Sequence, residues 1–200
     1  MILGISGPYA AGKGEAVAFL RDRSFYALSL SDVIRDELRL RGEVETRERM
    51  IETGNSLRAA GGLAVLAERL VAQLLPDRNY VIDSIRHPAE VEALRRAGGG
   101  FRLLWIDADE ATRVERLRRR GRGGDPVTLD TLRSLEGREL ASDDPAAQQL
   151  LAVRALADFQ LRNDGAPLTL LFLECSDEIL KRRFSESRRP HPMMATTSTL

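Results

Sequence analysis

Short apolar runs rich in β-branched and aromatic residues alternate along the chain with stretches whose apolar positions recur every three or four residues. The runs fall at about 2–6, 25–29, 80–84, 101–107 and 168–174 and predict five strands. The longer periodicity predicts helices at about 13–23, 31–41, 46–60, 63–75, 88–97, 110–120, 128–140, 146–160 and 177–185. Start signals sharpen three of these: Ser31 precedes Asp32-Val33, Asp109 precedes Glu110, and Asp177 precedes Glu178. Gly98-Gly99-Gly100 ends the helix before the fourth strand. Strands separated by helical crossovers predict a parallel sheet covered on both faces. Two stretches outside this rhythm, an all-helical one at about 31–75 and one at about 108–167 that holds an arginine cluster and the Gly-rich turn Gly121-Arg122-Gly123-Gly124-Asp125-Pro126, predict helical insertions over the carboxyl edge of that sheet. Apolar periodicity lapses after about Ser187, which predicts a disordered tail over 187–200. No segment repeats internally.

Composition narrows the picture. The 200 residues fit one domain, expected over about 1–186. Hydrophobic residues make up 43% and charged residues 30%, an ordinary globular balance. Thirty basic residues offset thirty acidic ones, which argues against a broad nucleic-acid footprint. The one cysteine, Cys175, cannot close an internal disulfide, so a reducing, cytoplasmic setting is expected. No apolar run approaches the roughly twenty residues that span a bilayer, and no basic segment precedes the first strand, so neither a membrane span nor a signal peptide is expected. The basic residues are nearly all arginine; the lysines are Lys13 and Lys181 alone.

Lys13 stands in the most specific motif of the chain. The first strand runs into Gly7-Pro8-Tyr9-Ala10-Ala11-Gly12-Lys13-Gly14 and then at once into an amphipathic helix, the G-x-x-x-x-G-K pattern in its proper setting. Gly7 and Gly12 let the backbone curl with its N–H groups inward. The helix start adds partial positive charge, and Lys13 reaches the β- and γ-phosphates. ATP is therefore expected on Gly7, Ala10, Ala11, Gly12, Lys13, Gly14 and Glu15. The pattern departs from its full form at Gly14, where a Ser or Thr hydroxyl would hold Mg²⁺. The metal is expected instead through water on Glu15 and on Asp83, the carboxylate ending the third strand Tyr80-Val81-Ile82-Asp83.

Other motifs resemble parts of known kinases. Ser29-Leu30-Ser31-Asp32-Val33-Ile34-Arg35 resembles the S-x-D-x-x-R start of the acceptor helix in nucleoside monophosphate kinases. Asp83-Ser84-Ile85-Arg86 resembles the D-G-x-x-R stretch of adenylate kinases, shortened by one residue. Gly54-Asn55-Ser56-Leu57-Arg58 resembles the G-T-x-x-x-R segment of phage deoxynucleoside monophosphate kinases. Arg116, Arg119, Arg120 and Arg122 resemble the arginines of a kinase lid, expected over 108–140. Ala157-Asp158 through Asn163-Asp164-Gly165 resembles a segment near the adenine, before the last strand, in dephospho-CoA kinases.

Over about residues 1–184 the chain is thus similar to the P-loop kinases that group nucleoside monophosphate kinases, dephospho-CoA kinases and adenylate-kinase-like ATPases. The resemblance implies a three-layer α/β fold with a five-stranded parallel sheet in the order 2-3-1-4-5. It implies ATP with Mg²⁺ as donor and a small nucleotide-like acceptor, in a monomer or homodimer without nucleic-acid or membrane partners. Lys13, Asp83, Arg86 and Arg120 would be catalytic. Arg116, Arg122 and Asn163 would join the ATP site, and Asp32, Arg35, Arg58 and Arg86 would hold the acceptor. Bland alternatives stand beside several of these. Arg58 is explained equally by a solvated helix face, the arginine cluster by a solvated face or a basic patch, and Asn163-Asp164-Gly165 by an ordinary turn. Two other functional readings remain: transfer to a ribose hydroxyl with Asp32 as base, and a nucleotide sensor without turnover.

Overall fold

Strand β1 (Ile2–Ser6) is buried along its whole length, as the centre of a parallel sheet with helices on both faces requires. In the computed structural model, which describes residues 1–121, 128–140 and 144–165, it pairs with β3 (Tyr80–Asp83) on one side and β4 (Arg102–Asp107) on the other. Strand β2 (Tyr26–Ser29) adds outside β3 and β5 (Phe159–Arg162) outside β4. All four pairings are parallel, and the order is β2-β3-β1-β4-β5, the order implied by the sequence. The described residues form one unit, Met1–Gly165.

Helix α1 (Lys13–Arg21) follows β1. Helices α2 (Leu30–Leu40), α3 (Arg47–Gly61) and α4 (Val65–Val71) fill the interval between β2 and β3. Helix α5 (Pro88–Arg96) crosses from β3 to β4. Helices α6 (Glu110–Arg120), α7 (Leu129–Leu140) and α8 (Leu150–Ala155) lie between β4 and β5. Ile82, Leu103 and Trp105 of the sheet join Leu30, Leu66 and Leu94 of the helices in one continuous core. A smaller cluster of Val114, Leu117 and Leu132 joins α6 to α7 and carries Tyr9 and Ala10 against it.

The fifth strand corrects the sequence reading. Residues 159 and 160, expected in a helix over 146–160, open β5, and the expected strand over 168–174 lies outside the described residues, as do the helix over 177–185 and the tail. The cause is tertiary. Asp158 bonds both ways to Leu103, its N–H donating to the carbonyl at 2.9 Å and its carboxylate accepting from the N–H at 2.7 Å. That clamp sets Phe159–Arg162 in register beside β4. A four-residue edge strand that is largely exposed carries too little apolar pattern to announce itself. Among the described residues Asn163 follows the last strand, β5. Two caps also differ: Ser29, not Ser31, caps α2 by accepting from the Ser31 N–H at 3.3 Å. Asp109 holds the N-cap place of α6 without a cap bond and pairs with Arg162 instead.

Candidate active site

The carboxyl ends of the strands deliver the pieces. After β1 the chain curls through Gly7 at φ 145° and Gly12 at φ 101°. A Cβ at Gly7 would lie 1.9 Å from the Ile106 carbonyl oxygen, and one at Gly12 would lie 2.2 Å from Asn163 Nδ2. The loop is therefore pressed against the ends of β4 and β5. Asn163 Nδ2 donates to the Ala11 carbonyl at 3.0 Å, and Arg116 donates to the carbonyls of Ala10 (3.3 Å) and Asn163 (2.8 Å). Gly7→Ala should lower stability by about 2 kcal/mol or more, because backbone, not a flexible side chain, must yield. Urea denaturation checks this; an unchanged midpoint would mean the loop can open away from Ile106.

Lys13 folds back into the loop, Nζ donating to the carbonyls of Gly7 (2.8 Å) and Pro8 (2.6 Å). Burial and, after it, the Arg86 charge lower its pKa to about 7, against the opposing pull of Asp83, Glu139 and Glu136. Gly14 and Glu15 open α1 and are exposed. Asp83 ends β3 with Oδ1 buried and lacking a hydrogen-bond partner among the described residues. The following Ser84 has φ 61° and accepts from Ser29 Oγ at 3.0 Å. An orphaned carboxylate oxygen beside a phosphate loop fits Mg²⁺ taken with nucleotide phosphates, a metal that commonly uses only one or two protein carboxylates. Among the described residues no group of three potential ligands forms an all-protein metal site. Mg²⁺ bound there would neutralise charge on the β- and γ-phosphates, with Asp83 as its protein contact.

Beyond Asp83 lies a cleft of about 690 Å³ whose walls include Tyr9, Arg35, Arg47, Arg58, Arg86 and Glu139. Arg86 Nη1 donates to Glu139 Oε2 at 2.8 Å and to Gln148 Oε1 at 3.0 Å. Arg58 is not on a solvated face. It is buried, donating twice to Glu90 Oε1 at 3.0 and 2.8 Å, while Glu90 Oε2 accepts the backbone N–H groups of Arg86 (2.9 Å) and His87 (3.0 Å). Arg58 thus buttresses the Arg86 turn from beneath. His87 Nδ1 accepts from the Ala89 N–H and Nε2 donates to the Pro145 carbonyl, a neutral tautomer; burial, the larger effect, pushes its pKa down. Arg35 pairs with Asp32 at 2.7 Å and Glu45 at 3.0 Å. Asp32 is exposed and does not line the cleft.

Of the expected lid arginines, Arg116 reaches the phosphate loop, and Arg120 donates to the Tyr9 hydroxyl at 2.9 Å. Arg119 is exposed on Glu115, and Arg122 lies outside the described residues. The buried arginine of α6 is one the sequence did not single out. Arg113 pairs with Glu136 and donates to the Tyr9 carbonyl at 3.2 Å, while Glu136 also accepts the Tyr9 N–H at 3.1 Å. Glu139 and Arg47 were equally silent. Glu136 and Glu139 stand three apart and share a face of α7, a spacing that marks a common target only once the target is known.

Glycine loop after the central strand, parallel order 2-3-1-4-5, and an acid at the end of β3: together these define a P-loop kinase fold. The chain belongs to the UPF0200 family. It is 31% identical over 166 residues to a UPF0200 protein of Hyperthermus butylicus, covering 82% of this chain and 86% of that one. No protein-family model matches it. Among solved structures, an uncharacterised protein from Eubacterium ventriosum shares the fold at 14% identity and TM-score 0.52, covering 81% of this chain and 88% of that one. A shikimate kinase from Bacteroides thetaiotaomicron, 17% identical, aligns at TM-score 0.47 over 93% of this chain and 97% of its own. No helix among the described residues is long and apolar enough to cross a membrane.

Proposed function

We propose that the protein transfers the γ-phosphoryl group of ATP, with Mg²⁺, to a small nucleotide-like acceptor, a nucleoside or deoxynucleoside monophosphate in the first instance. The carrying observation is that the phosphate loop and Arg86 meet at one cleft. Tyr9 of the loop and Arg86 both line it, and its volume of about 690 Å³ suits a small acceptor. The loop would bind the donor and Asp83 the metal. An acceptor phosphate oxygen would attack the γ-phosphorus in line, the bond to the β-phosphate oxygen would break, and ADP would leave. Arg86, and Arg120 and Arg116 from α6, would offset the charge on the transferring group. Such a phosphate nucleophile needs no general base. The alternative of a ribose hydroxyl acceptor does need one, and Asp32 is engaged with Arg35 instead.

An ATP-to-ADP assay across nucleoside monophosphates, deoxynucleoside monophosphates and dephospho-CoA tests the reading. Arg86→Ala and Arg120→Ala should each cut turnover by about 10²-fold, with ATP affinity held within about threefold. Gly14, which leaves the loop without its metal-binding hydroxyl, favours one second reading: a nucleotide sensor. Transfer to none of these acceptors, with ATP still bound, would select it.

A further inference from the structure

On the wall of the cleft, Glu139 of α7 ties together two arginines from distant parts of the chain. Arg47, the first residue of α3, donates from Nη2 to Glu139 Oε1 at 2.6 Å; Arg86, in the turn after β3, donates from Nη1 to Oε2 at 2.8 Å. The carboxylate is buried, its side chain only 5% exposed, whereas the two arginine side chains keep 26% and 24% of their surface and both line the cleft. The guanidinium of Arg47 also lies over the Tyr9 ring at 4.6 Å, which fixes its plane beside the phosphate loop. Its Nε is buried and without a hydrogen-bond partner among the described residues.

Two like charges brought side by side in a half-buried wall repel unless an anion lies between them. One carboxylate cancels one of the two charges and leaves the pair with a net positive charge facing the cleft. A phosphate monoester dianion, with three oxygens to distribute over two planar donor forks, fits that remainder better than a carboxylate does. Ile34, Met50 and Ile51 continue the cleft beyond the arginines as an apolar wall for the rest of such a molecule.

We propose that Arg47 and Arg86 together form the subsite for the phosphate of a phosphate-monoester acceptor, and that Glu139 is the positioning residue that presents both guanidiniums to it from behind. The proposal rests on the acceptor-cleft reading above and extends it to a residue, Arg47, outside every motif. It makes the acceptor site bipartite: one arginine comes with the sheet and the other with α3, and they share an anchor on α7.

The test uses inorganic phosphate as the probe in the 200-residue chain carrying Lys13→Ala, which disables the phosphate loop as a competing site. Calorimetry should still detect phosphate binding. Adding Arg47→Ala should weaken it about tenfold, and Arg47→Lys should restore only part of the loss because a point charge replaces a fork. Glu139→Gln should weaken binding in the same direction, since the arginines lose their anchor. Acetate at matched ionic strength should bind far less well than phosphate. Thermal melts with and without phosphate give an independent readout should a variant be poorly folded: phosphate should raise the midpoint of the Lys13→Ala protein and should raise it less once Arg47 is gone. Phosphate affinity unmoved by Arg47→Ala would overturn the subsite. Tighter binding in Glu139→Gln would overturn the anchoring role, because the carboxylate would then be a competitor. These outcomes are separate from catalysis: a protein that binds phosphate on Arg47 but transfers no phosphoryl group loses the kinase reading and keeps the subsite.

Discussion

Replacing Lys13 by alanine should weaken ATP binding by about a hundredfold or more while the circular dichroism spectrum stays that of the folded chain. The size follows from what is removed: the one cationic side chain inside the loop, placed on the Gly7 and Pro8 carbonyls where the phosphates would draw it away. The fold should survive because the two core clusters among the described residues are built from other side chains. Its lowered pKa adds a second signature. With a pKa of about 7 in the free protein, part of Lys13 is neutral at pH 7 and nearly all of it at pH 9. Phosphates nearby favour the ammonium, so the bound state has the higher pKa and ATP binding takes up a proton as pH rises above 7. Affinity should therefore fall with rising pH through that window. Calorimetry in buffers of different ionisation enthalpy measures the uptake, and Lys13→Ala should abolish it. Unchanged affinity in the alanine variant would remove the phosphate-loop assignment altogether.

The largest loss of stability is expected at Glu90. This carboxylate is fully buried and satisfies four donors: two nitrogens of Arg58 and the N–H groups of Arg86 and His87. Glu90→Ala leaves a buried guanidinium without its counter-charge and two turn amides without an acceptor, at a cost of about 3–5 kcal/mol. Replacing both partners, Arg58→Leu with Glu90→Leu, should cost less, because no charge is then stranded and only the two turn amides lose their acceptor. Chemical denaturation of the Glu90→Ala variant and of the double variant measures the difference. A loss below about 1 kcal/mol for Glu90→Ala would mean that water reaches Arg58 and replaces the carboxylate.

The contrast between Lys13 and Arg58 shows where sequence reading stops. Lys13 was legible because strand, glycine spacing, lysine and helix lie consecutively, and each has its own physical reason. Strands β1, β3 and β4 were legible because buried parallel strands are largely apolar, the half-exposed β2 because of its aromatic and aliphatic run, and the sheet order followed from the resemblance. Arg58 read as a solvated helix residue or an acceptor ligand because its partner is thirty-two positions away on another helix. Glu139 and Arg47, separated by ninety-two positions, were invisible for the same reason. Strand β5 was missed because pairing with β4, not its own four residues, makes it a strand. In this fold the glycine loop is written locally, and the polar network that aims side chains around it is written across the chain.

Tyr9 belongs to both kinds. Its N–H and carbonyl are held by Glu136 and Arg113, its ring lies under Arg47, and its hydroxyl accepts from Arg120. The same residue is part of the phosphate loop and part of the cleft wall. A ligand that shifts this ring from the loop side alters the cleft, and one that shifts it from the cleft alters the loop. Whatever factor the first ligand imparts to the affinity of the second, the second must impart to the first, because the two routes around the binding cycle end in the same ternary complex. The coupling between two such ligands would then be one free energy, the same whichever binds first, and Tyr9 is the side chain placed to carry it.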